Sequence, residues 1–297
     1  MKSYTTLRTD YGVDTKNTSS ANLTYGDGKM NDFHRRILSK ADWPFLHRLR
    51  TASTIASTTF VNLPYDVDLV ESVFVTVGTT RHTPVPAPSR AFWDQLHYSV
   101  QTSDTPEYWF VYNGQLGLWP RPSSSSNTIS IDCKIKPIDL NTADITSSTI
   151  TTLANAGTAL TVSAGLTAQM VGFWVRPTFS TTANTGDGQW YELSAIGGAT
   201  TATLVRAYGG NSIAAGTAAC TIAQMPLLPE AYHDLPEIYG AWRYWAKEKD
   251  SRADDFKSAL VEGVSDLFSA YGFSDLSMVI DDGDDHFLIN QNLAISL

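Results

Sequence analysis

The sequence predicts an α+β fold: a helical bundle, made of an N-terminal helix and a C-terminal helical hairpin, carries a β extension and an inserted small β-sandwich or barrel domain. Three observations predict it. Amphipathic stripes of helical period lie toward both ends of the 297-residue chain, and β-branched runs of period two follow the first of them. Between the runs and the second helical region, residues 141–225 turn to Thr, Ala, Ser and Gly, with only five charged residues: Asp144, Arg176, Asp187, Glu192 and Arg206. At 42% hydrophobic and 11% aromatic residues the chain can bury a sizeable core, which excludes intrinsic disorder.

Met30, Phe33, Ile37 and Leu38 fall on one face of a helix over about 28–41, with Lys29, Asp32, Arg35 and Arg36 between them. Pro44 biases Trp43 out of the helical region and turns the chain, and Trp43 and Phe45 read as core. Strands are predicted at 58–64, 69–77, 108–112, 115–120 and 128–135. The Asn113-Gly114 pair joins two of them as a tight hairpin, and Ser123 to Ser126 read as an exposed linker or hairpin tip. In the Thr/Ala-rich module the strands are expected at 149–154, 158–163, 171–179, 189–196, 201–207 and 219–224, punctuated by Gly and Asn turns. Leu235, Ile238, Tyr239, Trp242, Trp245 and Ala246 then mark one helical stripe, and Phe256, Leu260, Val264, Leu267, Phe268 and Tyr271 a second. Ser251 reads as the N-cap between them, so helices over about 230–248 and 251–272 form an antiparallel hairpin that packs with the first helix. Trp43, Trp242 and Trp245 are expected near its aromatic centre. The domain organisation is therefore 1–140 and 226–272 as one domain, 141–225 as an insertion with adjacent ends, and 273–297 as a C-terminal arm.

The net charge of -9 is unevenly spread. Residues 1–140 carry 14 basic and 13 acidic groups, 141–225 carry 2 and 3, and 226–297 carry 5 and 14, so the excess acid is C-terminal. No stretch supplies the clustered Lys and Arg of a sequence-specific nucleic-acid groove. No apolar run approaches the ~20 residues a bilayer demands, and the N-terminus lacks the apolar core of a secretory signal, so the expectation is a protein made in a cytoplasm with no membrane partner. Cys133 and Cys220 stand far apart and read as buried small residues.

Catalytic signatures are missing. His34, His47, His82, His97, His233 and His286 are scattered without metal-ligand spacing, and there is no phosphate-binding glycine loop or nucleophile elbow, so no cofactor, metal or catalytic residue is assigned. Asp281-Asp282-Gly283-Asp284-Asp285 lacks the ligand spacing of a calcium loop and reads as a solvated acidic turn. After it, Phe287, Leu288, Ile289, Leu293, Ala294, Ile295 and Leu297 make an apolar terminus too short for a core of its own. Phe287, Leu288, Ile289, Leu293 and Ile295 are therefore the candidate partner-binding residues, mobile in a free subunit and ordered on a partner by strand addition or groove packing.

Several of these segments, in order, resemble the head-to-tail adaptor (connector) proteins of tailed bacteriophages. They are the first helix with Ala41-Asp42-Trp43-Pro44-Phe45-Leu46; Leu63-Pro64-Tyr65-Asp66 before Val70-Glu71-Ser72-Val73; Pro106-Glu107-Tyr108-Trp109 to Leu116-Gly117-Leu118-Trp119-Pro120-Arg121-Pro122; and Leu228-Pro229-Glu230-Ala231-Tyr232-His233-Asp234-Leu235. The resemblance covers about 23–140 and 226–272. It implies a non-enzymatic virion protein of the neck, assembled in the host cytoplasm as a homo-oligomeric ring, commonly of twelve subunits. Its partners would be the portal, tail or nozzle proteins and, transiently, phage DNA in the channel. An acidic wall suits such a channel because it repels phosphates. The segment 169–196 resembles small β modules of phage neck and tail proteins and departs from the minimal adaptor pattern.

Two other classes fit parts of the chain. A tail-associated adhesin or decoration protein would use the inserted module to bind a glycan or receptor, but leaves the aromatic helical hairpin without a role. A glycan hydrolase would need a carboxylate pair, for which the sparsely charged module is a poor host.

Overall fold

Serine hydroxyls start the first two helices. Ser3 accepts from the Thr6 amide at 3.3 Å and Ser19 from the Asn22 amide at 3.4 Å, each satisfying a donor that the helix cannot. The computed structural model describes residues 1–179, 186–273, 276–280 and 287–291. Its helices are α1 (Tyr4–Asp14), α2 (Ser20–Ser39), α3 (Arg90–His97), α4 (Leu235–Glu248) and α5 (Arg252–Ala270). Strands β1 (His47–Ser53), β2 (Phe60–Asn62), β3 (Val67–Val77), β4 (Thr80–His82), β5 (Val85–Pro86), β6 (Tyr108–Tyr112), β7 (Gln115–Trp119) and β8 (Thr128–Ile135) come first. They are followed by β9 (Thr149–Leu153), β10 (Ala159–Val162), β11 (Trp174–Pro177), β12 (Tyr191–Ile196), β13 (Thr201–Leu204) and β14 (Ile213–Ala223), and, after the last helices, by β15 (Leu276–Ile280) and β16 (Phe287–Gln291). The protein is thus a mixed helix and sheet structure.

The chain divides into two units. One comprises Met1–Phe45, Pro137–Ile145 and Ala223–Leu297; the other comprises Leu46–Lys136 and Thr146–Ile222. In the first, α4 packs on α5 and α2, and α1 packs on α4 and α2. Tyr11, Met30, Phe33, Trp43, Tyr239, Leu260, Val264 and Phe268 are buried between them. The aromatics form separate groups. Trp43 is enclosed by Phe45, Phe268, Tyr271 and Phe273 at ring-centroid distances of 5.3, 5.1, 6.0 and 5.2 Å, and its indole N–H donates to the Ile37 carbonyl at 2.9 Å. Tyr239 joins Phe33 to Trp242, whereas Trp245 packs with Tyr244 under the Arg252 guanidinium.

The second unit holds two four-stranded sheets, ordered β1-β8-β3-β4 and β2-β7-β6-β5, and a closed barrel ordered β10-β13-β12-β11-β14-β9. In β8 the alternation predicted from sequence buries Ile129, Ile131, Cys133 and Ile135 on one face. Asn113 and Gly114, both at positive φ, make the two-residue turn that pairs Tyr112 with Gln115. Of the two architectures the sequence left open for 141–225, the structure is the barrel. Closure removes sheet edges in a segment with few charges to protect them.

Several elements differ from the sequence expectation. Neither α1 nor α3 is predicted: α1 carries Thr5, Thr6 and Thr9, which weaken helix propensity, and is held by packing of Tyr4, Leu7 and Tyr11. Helix α3 is short, capped by Ser89, and lays Trp93 on Phe110 and Phe60. The predicted first helix begins at Ser20, ahead of residue 28, because Gly26 continues the helix and lets the Tyr11 ring approach; a Cβ there would lie 2.4 Å from the ring. Ser251 occupies the N-cap position of α5, but its side chain caps nothing; the Asp250 carboxylate accepts from the Arg252 amide at 3.0 Å instead. The Ser123–Ser126 tip is exposed, and Asp104 fixes it by accepting from the Ser124 amide and hydroxyl, both at 2.7 Å.

Candidate functional site

The C-terminal arm leaves the helices through a fixed root. The Phe273 amide donates back to the Phe268 carbonyl at 2.9 Å and its ring closes one side of the Trp43 box, so the chain is anchored where α5 ends. Beyond it β15 and β16 pair antiparallel, and β15 lies against α5. Of the candidate partner-binding residues, Phe287, Leu288 and Ile289 lie on β16, opposite Ile280, Val279 and Met278. Leu293, Ile295 and the acidic turn at 281–285 lie outside the described residues. Among the described residues no third strand joins this ribbon, and a two-stranded ribbon has little stability by itself. On α5, Asp254, Asp255, Glu262 and Asp266 are all exposed.

Within the first unit, polar side chains gather the segments that precede and follow the barrel in sequence. Asn31 of α2 donates to the Leu140 carbonyl at 3.1 Å and accepts from its amide at 2.7 Å, closing a two-bond clamp. One turn later His34 accepts from the Leu227 amide through Nε2 at 2.9 Å. The Gln224 side chain accepts from the Asn141 and Thr142 amides and donates to the Asp139 carbonyl, so the chain passes before and after the barrel are tied together.

The start of α4 concentrates buried ionisable groups. Glu237 accepts from Lys2 Nζ at 2.9 Å, and the same ammonium lies 2.9 Å from Asp10. Burial pushes the Glu237 carboxyl up to about 8; Lys2 opposes the shift, while Asp14 and Asp10 on α1 add to it. His233 donates through Nε2 to the Leu228 carbonyl at 2.9 Å, leaving Nδ1 to accept from the Lys2 amide at 3.2 Å. Burial holds it below the usual imidazole range, and burial, His233 and Arg35 push His34 down to about 3.

In the second unit a buried ion cluster joins β1 to barrel strand β12. Arg50, 0% exposed, donates through Nε and Nη2 to Asp66 Oδ2 at 2.9 and 2.6 Å, and through Nη2 to Glu192 at 3.2 Å; Arg48 lies 3.7 Å from Glu192. Arg50 and Glu192 are 142 residues apart, and Lys2 and Glu237 are 235 apart, so no local spacing signals either cluster.

Among the described residues no three His, Cys, Asp or Glu side chains could hold a metal ion together, and no helix is long and apolar enough to cross a membrane. Cys133 and Cys220 are free, and burial drives their thiols up to about 12 and about 11, which suppresses the thiolate.

A family model described as SU10 adaptor protein matches residues 3–164, just over half of the chain. The match runs from α1 through both sheets into the first two barrel strands. No curated protein matches the chain.

Proposed function

This chain belongs to the SU10 adaptor protein family, and is a structural adaptor of the bacteriophage virion; from that premise we propose that it is the neck ring joining the portal of the DNA-filled head to the tail. Twelve copies assemble in the host cytoplasm, bind the portal on one side and tail or nozzle proteins on the other, and line the channel through which the genome leaves. The family match carries the reading. The charge distribution supports it: four exposed carboxylates along α5 and the acidic balance of 226–297 make a surface from which DNA phosphates are repelled.

In this reading the helices of the first unit make the ring, the barrel insertion faces outward, and the C-terminal arm is the docking element. Phe287, Leu288 and Ile289, with Leu293 and Ile295 beyond them, are covered by a neighbouring subunit or the portal when the β15–β16 ribbon gains a strand. Contact with DNA is transient and independent of sequence. Negative-stain imaging of the purified protein, alone and mixed with its portal, tests this directly. Twelve-fold rings, free or seated on the portal, are expected; a monomer that ignores the portal and binds host glycans instead overturns it.

A further inference from the structure

The imidazole of His34 is 1% exposed on α2, and its Nε2 accepts the amide hydrogen of Leu227 in the segment leading from β14 to α4. In the neutral ring the remaining proton must then sit on Nδ1, which is buried without a hydrogen-bond partner. A second proton has one place to go, Nε2, where it would point at the Leu227 N–H. Two donors would face each other at a fully buried position, and the new charge would lie near Arg35 and His233, both of which oppose it. His233 differs. Its Nδ1 lies 3.2 Å from the Lys2 amide nitrogen and 3.3 Å from the Lys2 carbonyl oxygen, so on protonation it can turn from accepting to donating. The other charged groups around this region are Arg35 with its partners Asp32 and Asp139 on the α2 side, Glu230, the Met1 ammonium and Lys2 beside His233, and Asp10, Asp14 and Glu237 where α1 meets α4.

We propose that His34 is an acid-operated latch: neutral, it fastens the chain leading into α4 onto α2, and protonated, it releases that chain. Release frees Gln224 and Leu227 together, and with them the backbone bond from the Tyr4 amide to the Gln224 carbonyl that holds the start of α1. Because His34 protonates near 6.5 once free and only near 3 in place, opening gains close to one proton across that interval. The opening equilibrium therefore rises about tenfold per pH unit below 6, reaching about 300-fold at pH 4 relative to neutral pH.

Amide hydrogen exchange on the full chain reads this out. From pH 7.5 to pH 4, protection of the Leu227 and Tyr4 amides, corrected for intrinsic exchange, is expected to fall about 300-fold in the wild type. In His34→Gln, whose neutral side-chain oxygen can still accept, it should stay flat. His233→Asn should keep the fall. Unchanged protection in the wild type down to pH 4, or an equal fall in His34→Gln, overturns the latch. Should His34→Gln not fold, NMR titration of the wild-type imidazoles decides: a His34 ring that protonates near 6.5 while Leu227 remains protected refutes it.

Discussion

Glu237, 4% exposed in the first turn of α4, receives the Lys2 ammonium at 2.9 Å yet keeps its carboxyl protonated up to about pH 8. Burial and the nearby Asp14 and Asp10 carboxylates outweigh the single cation. A carboxyl whose folded pKa lies above its unfolded value stabilises fully below the unfolded value, near 4.5, and loses that contribution as pH rises through about 8. Glu237→Gln mimics the protonated form. Its thermal midpoint should match wild type at pH 5 and exceed it at pH 9; equal midpoints at both would show that Glu237 is ionised in the fold.

Trp43 shows what sets the helical core. Its ring is fully buried among Phe45, Phe268, Tyr271 and Phe273, and its N–H donates to the Ile37 carbonyl, which the Lys40 amide also reaches at 3.3 Å, so truncation opens a cavity and removes one of two bonds to that carbonyl. Trp43→Ala should cost about 3–5 kcal/mol, and Trp43→Phe less, since it keeps most of the packing and loses the hydrogen bond. Chemical denaturation measures both. Equal costs for the two variants would mean that the hydrogen bond, rather than the packing, dominates.

The Arg50–Asp66–Glu192 cluster is expensive to break by halves. Removing the cation leaves the buried Asp66 carboxylate without its ion-pair partner and Glu192 with only Arg48, 3.7 Å away, so Arg50→Met should destabilise by about 3–5 kcal/mol. Neutralising the partners as well, in Arg50→Met/Asp66→Asn/Glu192→Gln, should recover a large part of that loss. A triple variant no more stable than the single one would place the cost in lost shape rather than unpaired charge.

Much of this architecture is legible in the sequence where the signal is local. The period-two runs locate β3, β6, β7 and β8, the Asn113-Gly114 turn sets a register, and the composition shift marks out the barrel strands. Helix α1 escapes because its threonines disguise a stretch stabilised by tertiary packing, and the first turns of α2 escape because the apolar stripe that marks the helix starts only at Met30, while Gly26, a weak helix former, is packed by Tyr11 in the fold. The buried clusters are illegible for a different reason. Glu192, Glu237 and His34 look like ordinary polar residues, and only the fold brings Arg50, Lys2 and Leu227 to them.

Gln224 ties the Asn141–Thr142 backbone to the chain after the barrel, so a bridge across that gap can be short. Replacing 146–222 with a Gly/Ser linker keeps Asp144 and Gln224 and removes Glu192. The expected product is soluble, retains the helical far-UV signal and still forms rings by electron microscopy, while its remaining sheets melt earlier because Arg50 loses a carboxylate. Aggregation of this product would mean that the barrel is integral to assembly.

The C-terminal arm is anchored at its start. Its root is held by Trp43 and Phe268, upstream of residue 274, so cutting the chain after Asp282 removes β16 without touching the helical core. The apolar area of Phe287, Leu288, Ile289, Leu293 and Ile295 contributes about 25 cal/mol per Å² once a partner covers it, and the four flanking aspartates disfavour self-association until then. Deleting 283–297 should therefore leave the thermal midpoint of the subunit within a degree or two of wild type while weakening its attachment to the portal or to a neighbouring subunit at least tenfold. Calorimetry and a portal pull-down on the same preparation separate the possibilities. A truncated chain that binds portal as well as the full one, or that melts at a much lower temperature, assigns the arm to the subunit's own fold.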